Sequence, residues 1–166
     1  MSQKNFLRGS CLKAKVIVRA KLNPTEDEFK LLKAIANLTG AENYRKEKEG
    51  NLEYIVQEGD ESLLIKFREL LRKERILDAA RKIIIQGIDN KTITFHVNRQ
   101  VAYVGKISFC KPEGESPLGP ITFHIWTENI KELIDWLATK TIGGVPVDEI
   151  CQLEYPHYVQ LEKHSK

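Results

Sequence analysis

The 166-residue chain has little of several things, and each scarcity excludes a class of protein. Its three cysteines, Cys11, Cys110 and Cys151, are far apart and odd in number. A disulfide framework and a zinc knuckle of closely spaced thiols are therefore not expected, and the three read as reduced thiols. No apolar run approaches the ~18 residues needed to cross a bilayer, and Met1 to Gly9 carries charges without the apolar centre of a signal peptide. A cytoplasmic protein without a membrane role is expected. The chain also lacks a Gly-Lys-Ser/Thr phosphate-loop ending, a Ser, His and Asp pattern around a nucleophile turn, internal repeats and low-complexity segments. Acid-base or covalent catalysis has no candidate residues, so no enzyme is expected.

What is present suits one folded domain. The 42% apolar residues can bury a substantial core, and the 30% charged residues keep the surface solvated. The net charge of +3 conceals an uneven distribution. Residues 1–21 carry six bases and no acid, and residues 91–111 carry four bases and no acid. Residues 26–60 and 112–166 are net negative by four and five. Such asymmetry predicts a directional electrostatic surface that favours an anionic partner.

Hydrophobic alternation predicts a first strand over residues 13–21, with Ala14, Val16, Val18 and Ala20 on a core face and bases on the other. Asn23-Pro24 stops it. Thr25 with Glu28 has the spacing of a capping box for a helix that ends near Gly40, a natural left-handed cap. Leu52, Tyr54 and Val56 mark a strand, with residues 41–49 as its candidate partner. A helical stripe runs from Ser62 through Phe67 and Leu71 to Ile84, with Asp78 a candidate cap after a bend. Strands are then expected at 92–98, 101–109 and 121–126, followed by a helix over about 128–138 and a tail opened by Gly143-Gly144 and Pro146. Most strands lie too close together for helical crossovers. The expected fold is therefore α+β, in two layers, with helices on one face of a mainly antiparallel or mixed sheet. A single domain over 13–141, an N-terminal extension over 1–12 and a C-terminal tail over 142–166 complete the organisation.

If helices cover one face, alternation assigns the occupants of the other. These are Lys13, Lys15, Arg19 and Lys21 from the first strand, Thr92, Thr94, His96 and Asn98, then Lys106 and Ser108, then Thr122, His124 and Trp126. Lysine and arginine neutralise phosphates while exposed rings stack on unpaired bases, a combination suited to single-stranded or looped RNA. Arg99 joins this set as a phosphate contact. A dimer interface or a plain solvated sheet is the competing reading, and a one-residue slip in any strand would reverse its faces. Arg68, Arg72, Arg75 and Lys82 form a secondary basic surface along the middle helical stripe, where Glu69 and Glu74 also allow an ordinary salt-laced exterior.

Metal and cofactor chemistry is not expected. His96 and His124 can approach on neighbouring strands with Cys110 nearby in sequence, but two histidines and one cysteine permit a metal site without demanding one. The turn-rich stretch from Lys111 to Pro120 reads as a connection, because Glu113 and Glu115 oppose an anion there.

Several strings in this order resemble a known group. They are Asn98-Arg99-Gln100 through Ala102-Tyr103-Val104-Gly105-Lys106, Glu115-Ser116-Pro117-Leu118-Gly119-Pro120-Ile121 and Ile134-Asp135-Trp136-Leu137. Asn23-Pro24-Thr25-Glu26-Asp27 and Arg75-Ile76-Leu77-Asp78-Ala79-Ala80-Arg81 belong with them. Over roughly residues 13–141 the chain resembles an archaeal family of uncharacterised small proteins grouped with RNA-binding proteins. The resemblance implies an α+β fold like that of the ribosomal protein that binds five-S RNA, and an archaeal, cytoplasmic origin. It carries no catalytic residues over.

Residues and resemblance together favour a non-catalytic RNA-binding protein using the sheet wall. The alternative is a structural or interaction protein that forms a homodimer through the same sheet.

Overall fold

Alternation in the first strand organises the whole molecule, which a computed structural model describes over residues 12–147. Cys11, Cys151 and nearly all of the expected N-terminal extension and C-terminal tail lie outside the described residues. The elements run β1 (Ala14–Leu22), α1 (Glu28–Thr39), β2 (Arg45–Glu49), β3 (Leu52–Asp60), a 3-10 turn (Glu61–Leu64), α2 (Ile65–Lys73) and α3 (Leu77–Gln86). They continue with β4 (Ile88–Asp89), β5 (Thr92–Asn98), α4 (Arg99–Tyr103), β6 (Pro120–Thr127), α5 (Ile130–Leu137), β7 (Thr141–Ile142) and β8 (Val145–Pro146). Six strands form one sheet in the order β2-β3-β1-β6-β5-β4, and every pair is antiparallel.

Val16, Val18 and Ala20 of β1 are buried on one side of this sheet, level with Ile121, Phe123 and Ile125 of β6. Phe95 and Phe123 are direct cross-strand partners, with ring centroids 5.0 Å apart in a stacked arrangement. Phe67 of α2 packs over both at 5.3 and 5.0 Å. Leu31, Ile35 and Leu38 of α1 and Leu133, Ile134 and Leu137 of α5 complete the layer. Each such side chain contributes about 1.5–3 kcal/mol through loss of apolar surface to water. The expected two-layer α+β architecture holds.

Local signals decide the element ends. Gly40 closes α1 at φ 71°, its N–H bonded to the Ala36 carbonyl at 2.8 Å, as its sequence position predicts. The N-terminal cap is Asp27, which accepts from the Phe29 N–H at 2.9 Å, and the expected Thr25 and Glu28 box does not form. Gly87 is required for close approach between the end of α3 and β5, since a Cβ there would lie 2.0 Å from the Thr94 carbonyl oxygen.

Three expectations are corrected. The expected strand over 101–109 is absent. The Asn98 side chain accepts from the N–H groups of Gln100 and Val101 at 2.9 and 3.1 Å and starts α4 instead, leaving only a single bridge between Val97 and Phe109. A capping asparagine outweighs a short alternating pattern, because it satisfies two otherwise unpaired donors. The middle stripe is broken at Arg75, which has φ 57°, so Lys82 lies on a different helix from Arg68 and Arg72. Asp78 is not the cap of α3; Ile76 holds that position, and both Asp78 oxygens accept from Thr141 Oγ1 at 2.8 and 3.0 Å. The segment after the last helix is a hairpin whose Gly143 and Gly144 lie at φ 59° and 82°, the two-residue turn that favours glycine. Among the described residues no helix is long and apolar enough to cross a membrane.

Candidate nucleic-acid interface

The side of the sheet away from the helices divides into two chemically different halves. Antiparallel register places Lys15, Ile17, Arg19 and Lys21 of β1 level with Asp60, Glu58, Val56 and Tyr54 of β3, and Arg45, Glu47 and Glu49 of β2 lie beyond. Four bases therefore share this half with four acids. Lys15 Nζ is 2.9 Å from Glu58, whose other oxygen accepts from Arg45 at 2.8 Å. Arg45 also bonds Glu47 at 2.9 Å, and Arg19 reaches Glu49 at 2.7 Å. Lys15, and next to it Arg45, hold the Glu58 carboxyl below the usual carboxylate range. Val56, on the open side between Arg45 and Arg19, is buried beneath these side chains.

The expectation of a basic face along β1 is thus corrected, since acids pair with Lys15 and Arg19. The basic stretch of β1 folds directly beside the acidic stretch of β3, so charges that are segregated along the chain become neighbours in space.

The other half, from β6 to β5, carries no Asp, Glu, Lys or Arg on this side, only two histidines among its titratable groups. Thr122, His124 and Trp126 of β6 face His96, Thr94 and Thr92 of β5 in register, as alternation predicts. His96 Nδ1 hydrogen-bonds Thr122 Oγ1 at 2.8 Å, and His124 Nδ1 hydrogen-bonds Thr94 Oγ1 at 3.2 Å. Both imidazoles are held below their ordinary value of 6.5. For His96 the cause is burial and then the neighbouring His124; for His124 it is burial and then the Arg19 charge. Trp126 is 46% exposed, an unusual state for so large an aromatic surface.

Between the two halves lies a hollow of about 510 Å³. Arg19, Lys21, Tyr54, His96, Thr122 and His124 line it from the sheet. Pro112, Glu113 and Gly119 line it from the loop after α4, so this loop overhangs one end of the open face. The Arg19 guanidinium lies 3.7 Å from the centre of the Tyr54 ring, giving the hollow a flat cationic wall. The volume falls in the range typical of small-molecule and base-sized sites.

The remaining expected residues fall elsewhere. Arg99 is 3% exposed and bound to Glu26 and backbone carbonyls, so it is a structural cation, not a surface phosphate contact. Lys106 follows the turn after α4, is exposed and belongs to no strand. Lys13 is exposed just before β1, and Lys21 lines the hollow; among the described residues neither has a carboxylate within ion-pair distance. Of the secondary surface, Arg68 donates to the Trp136 carbonyl at 2.8 Å, Arg72 and Arg75 line a separate cavity, and Lys82 is exposed on α3.

Sequence reasoning put Tyr54 in a strand without assigning it to the open face, and it read the overhanging loop only as a connection. Among the described residues no three His, Cys, Asp or Glu side chains gather into a metal-binding group, and Cys110 has its thiol pushed up by burial and then by Glu115.

A family model described as RNA binding matches residues 15–127, from the second residue of β1 to the end of β6. A UPF0201 protein of Sulfurisphaera tokodaii is 48% identical over 136 residues, covering 81% of this chain and 94% of that one. A crystal structure of a UPF0201 protein from Methanococcus jannaschii, 35% identical, superposes with a TM-score of 0.67 over 80% of this chain and 98% of that one. A DUF54 protein from Sulfolobus solfataricus shares the fold at 18% identity and a TM-score of 0.54, over 75% of this chain and 96% of that one.

Proposed function

This chain belongs to the archaeal UPF0201 family, and we propose on that premise that it is a non-catalytic RNA-binding protein of the cytoplasm. In this reading it takes an unpaired stretch of RNA on the open face of its sheet. The observation that carries the reading is the hollow between Arg19, Tyr54, His96 and His124, which lies inside the region matched by the RNA-binding family model.

The chemistry of the two halves assigns the roles. One base enters the hollow against the Arg19 guanidinium, whose plane stacks on nucleobases, while the free imidazole nitrogens of His96 and His124 read its edge. Trp126, two residues along the same face of β6, offers a stacking surface to a neighbouring base. Lys21 and Lys13 meet phosphates at the rim. Lys15 and Arg19 reach phosphate only by exchanging one anion for another, since Glu58 and Glu49 already hold them.

Binding therefore draws less on charge than the lysine content of β1 suggests. Few counterions are displaced, so the logarithm of affinity falls with the logarithm of salt at a slope set by about two phosphates. Filter binding of a loop-containing RNA across a salt series tests this. Saturable binding with a shallow slope is expected, weakened by Lys21→Glu and by Arg19→Glu. No binding at low salt, or binding indifferent to both substitutions, sinks the proposal.

A further inference from the structure

The open-face hollow holds one group that phosphate recognition leaves unused. Glu113 lines it from the overhanging loop, whereas Arg19, Tyr54, His96 and His124 line it from the sheet. We propose, resting on the RNA reading above, that this hollow selects guanine and that Glu113 is the residue that determines the choice.

The loop supplies the first argument, because it contains two acids and the fold uses only one of them. Glu115 accepts from the Lys111 N–H at 2.7 Å, closing a turn around Pro112, Glu113 and Gly114. Beyond that turn the Ser116 hydroxyl and Arg99 Nε both donate to the Gly119 carbonyl, at 2.8 and 2.6 Å, and Asn23 Nδ2 donates to the Leu118 carbonyl at 3.0 Å. The chain is thus fastened on either side of Glu113. Among the described residues no hydrogen-bond donor or base engages the Glu113 carboxylate itself, although Lys21 belongs to the same lining. A free carboxylate repels phosphate, so what comes against it in an RNA must be the donor edge of a base.

The pattern of donors on the bases supplies the second. A carboxylate offers two adjacent acceptor oxygens and no donor. Guanine meets it with two adjacent donors, the N1 and N2 hydrogens of its pairing edge. Adenine and cytosine each present one amino group beside a ring nitrogen whose lone pair would face the second oxygen, and uracil presents a single N–H between two carbonyls. Guanine alone fits both oxygens. Its other edge carries two acceptors, O6 and N7, and so calls for donors. His96 and His124 have Nδ1 occupied by the Thr122 and Thr94 hydroxyls, at 2.8 and 3.2 Å, and Nε2 left over. When those hydroxyls donate to Nδ1, both Nε2 atoms carry the ring proton and donate.

The test is fluorescence anisotropy of the full chain with a set of short RNAs, uridine throughout except for one central base. The RNA with a central guanosine is expected to bind about tenfold tighter than those with adenosine, cytidine or uridine there. Inosine, which differs from guanosine only in lacking the N2 amino group, should lose most of that advantage. Glu113→Gln should level the series by weakening the guanosine RNA. Equal affinity of the native chain for every RNA of the set overturns this inference and leaves the RNA reading standing. So does a guanosine preference that Glu113→Gln or inosine retains in full. Absence of binding to every RNA overturns both.

Discussion

Arg99 Nη1 donates to both carboxylate oxygens of Glu26 at 2.7 Å, in a pair whose side chains are 3% and 8% exposed. The same guanidinium donates to the carbonyls of Lys21 at 2.8 Å and Gly119 at 2.6 Å. It therefore ties the end of β1, the approach to α1 and the overhanging loop to one point. The main-chain and side-chain N–H groups of Asn23 reach the same carboxylate at 3.2 Å, which leaves few of its lone pairs unsatisfied.

Removing one partner of this pair strands a buried charge. Arg99→Met or Glu26→Gln is expected to cost about 3–5 kcal/mol, read as a shift in the urea midpoint at constant slope. Replacing both with apolar residues should recover much of that loss. If the single variants unfold at the native midpoint, the pair does not hold the loop.

Trp126 separates binding from folding. Its ring is about half exposed, so Trp126→Ala should change stability little, yet remove about 1–3 kcal/mol of RNA affinity if a base stacks there. Filter binding and thermal melting on the same sample measure the two effects. Unchanged affinity would leave the tryptophan without a part in recognition.

The two histidines give opposite pH dependences for stability and binding. Both have folded values below 6.5, so the folded state holds fewer protons there than the unfolded chain. Their contribution to stability is complete above that value and declines as pH falls through 6.5 to the folded values. RNA phosphate favours the imidazolium, so affinity should rise over the same interval. Arg19, Lys21 and Glu113 line the hollow, and Glu49 pairs with Arg19 in its wall. Between about pH 7.5 and 5.5 Tm should fall and affinity should climb, and His96→Gln with His124→Gln should flatten both curves. Parallel changes in Tm and affinity would contradict this assignment.

Gly87→Ala probes the join between helix and sheet. The added Cβ would meet a backbone oxygen at 2.0 Å, which no rotamer can relieve. A loss of about 3 kcal/mol is expected by chemical denaturation. A native midpoint would mean that the end of α3 shifts freely from β5.

The strands were largely legible in the sequence because alternation of period two is a local property. The rows Val16, Val18, Ala20 and Thr122, His124, Trp126 appear on the sides that alternation assigns. The segment 101–109 misled because a short alternating run and a capped helical turn differ by one hydrogen-bonding side chain, that of Asn98. The place of Tyr54 beside Arg19 and the overhang of the loop escaped notice because both depend on strand order, to which alternation within one strand is blind.

By itself the sequence determined, outside residues 99–109 and the final hairpin, where the chain runs extended or helical and which strand faces are apolar. Those properties follow from spacing along a single segment. Only the tertiary structure decided the electrostatics. Cross-strand pairing sets Lys15 beside Glu58 and brings Arg19 to Glu49, and it buries Arg99 against Glu26. Charge acts through distance in space, and folding brings a basic segment and an acidic one to within hydrogen-bonding reach.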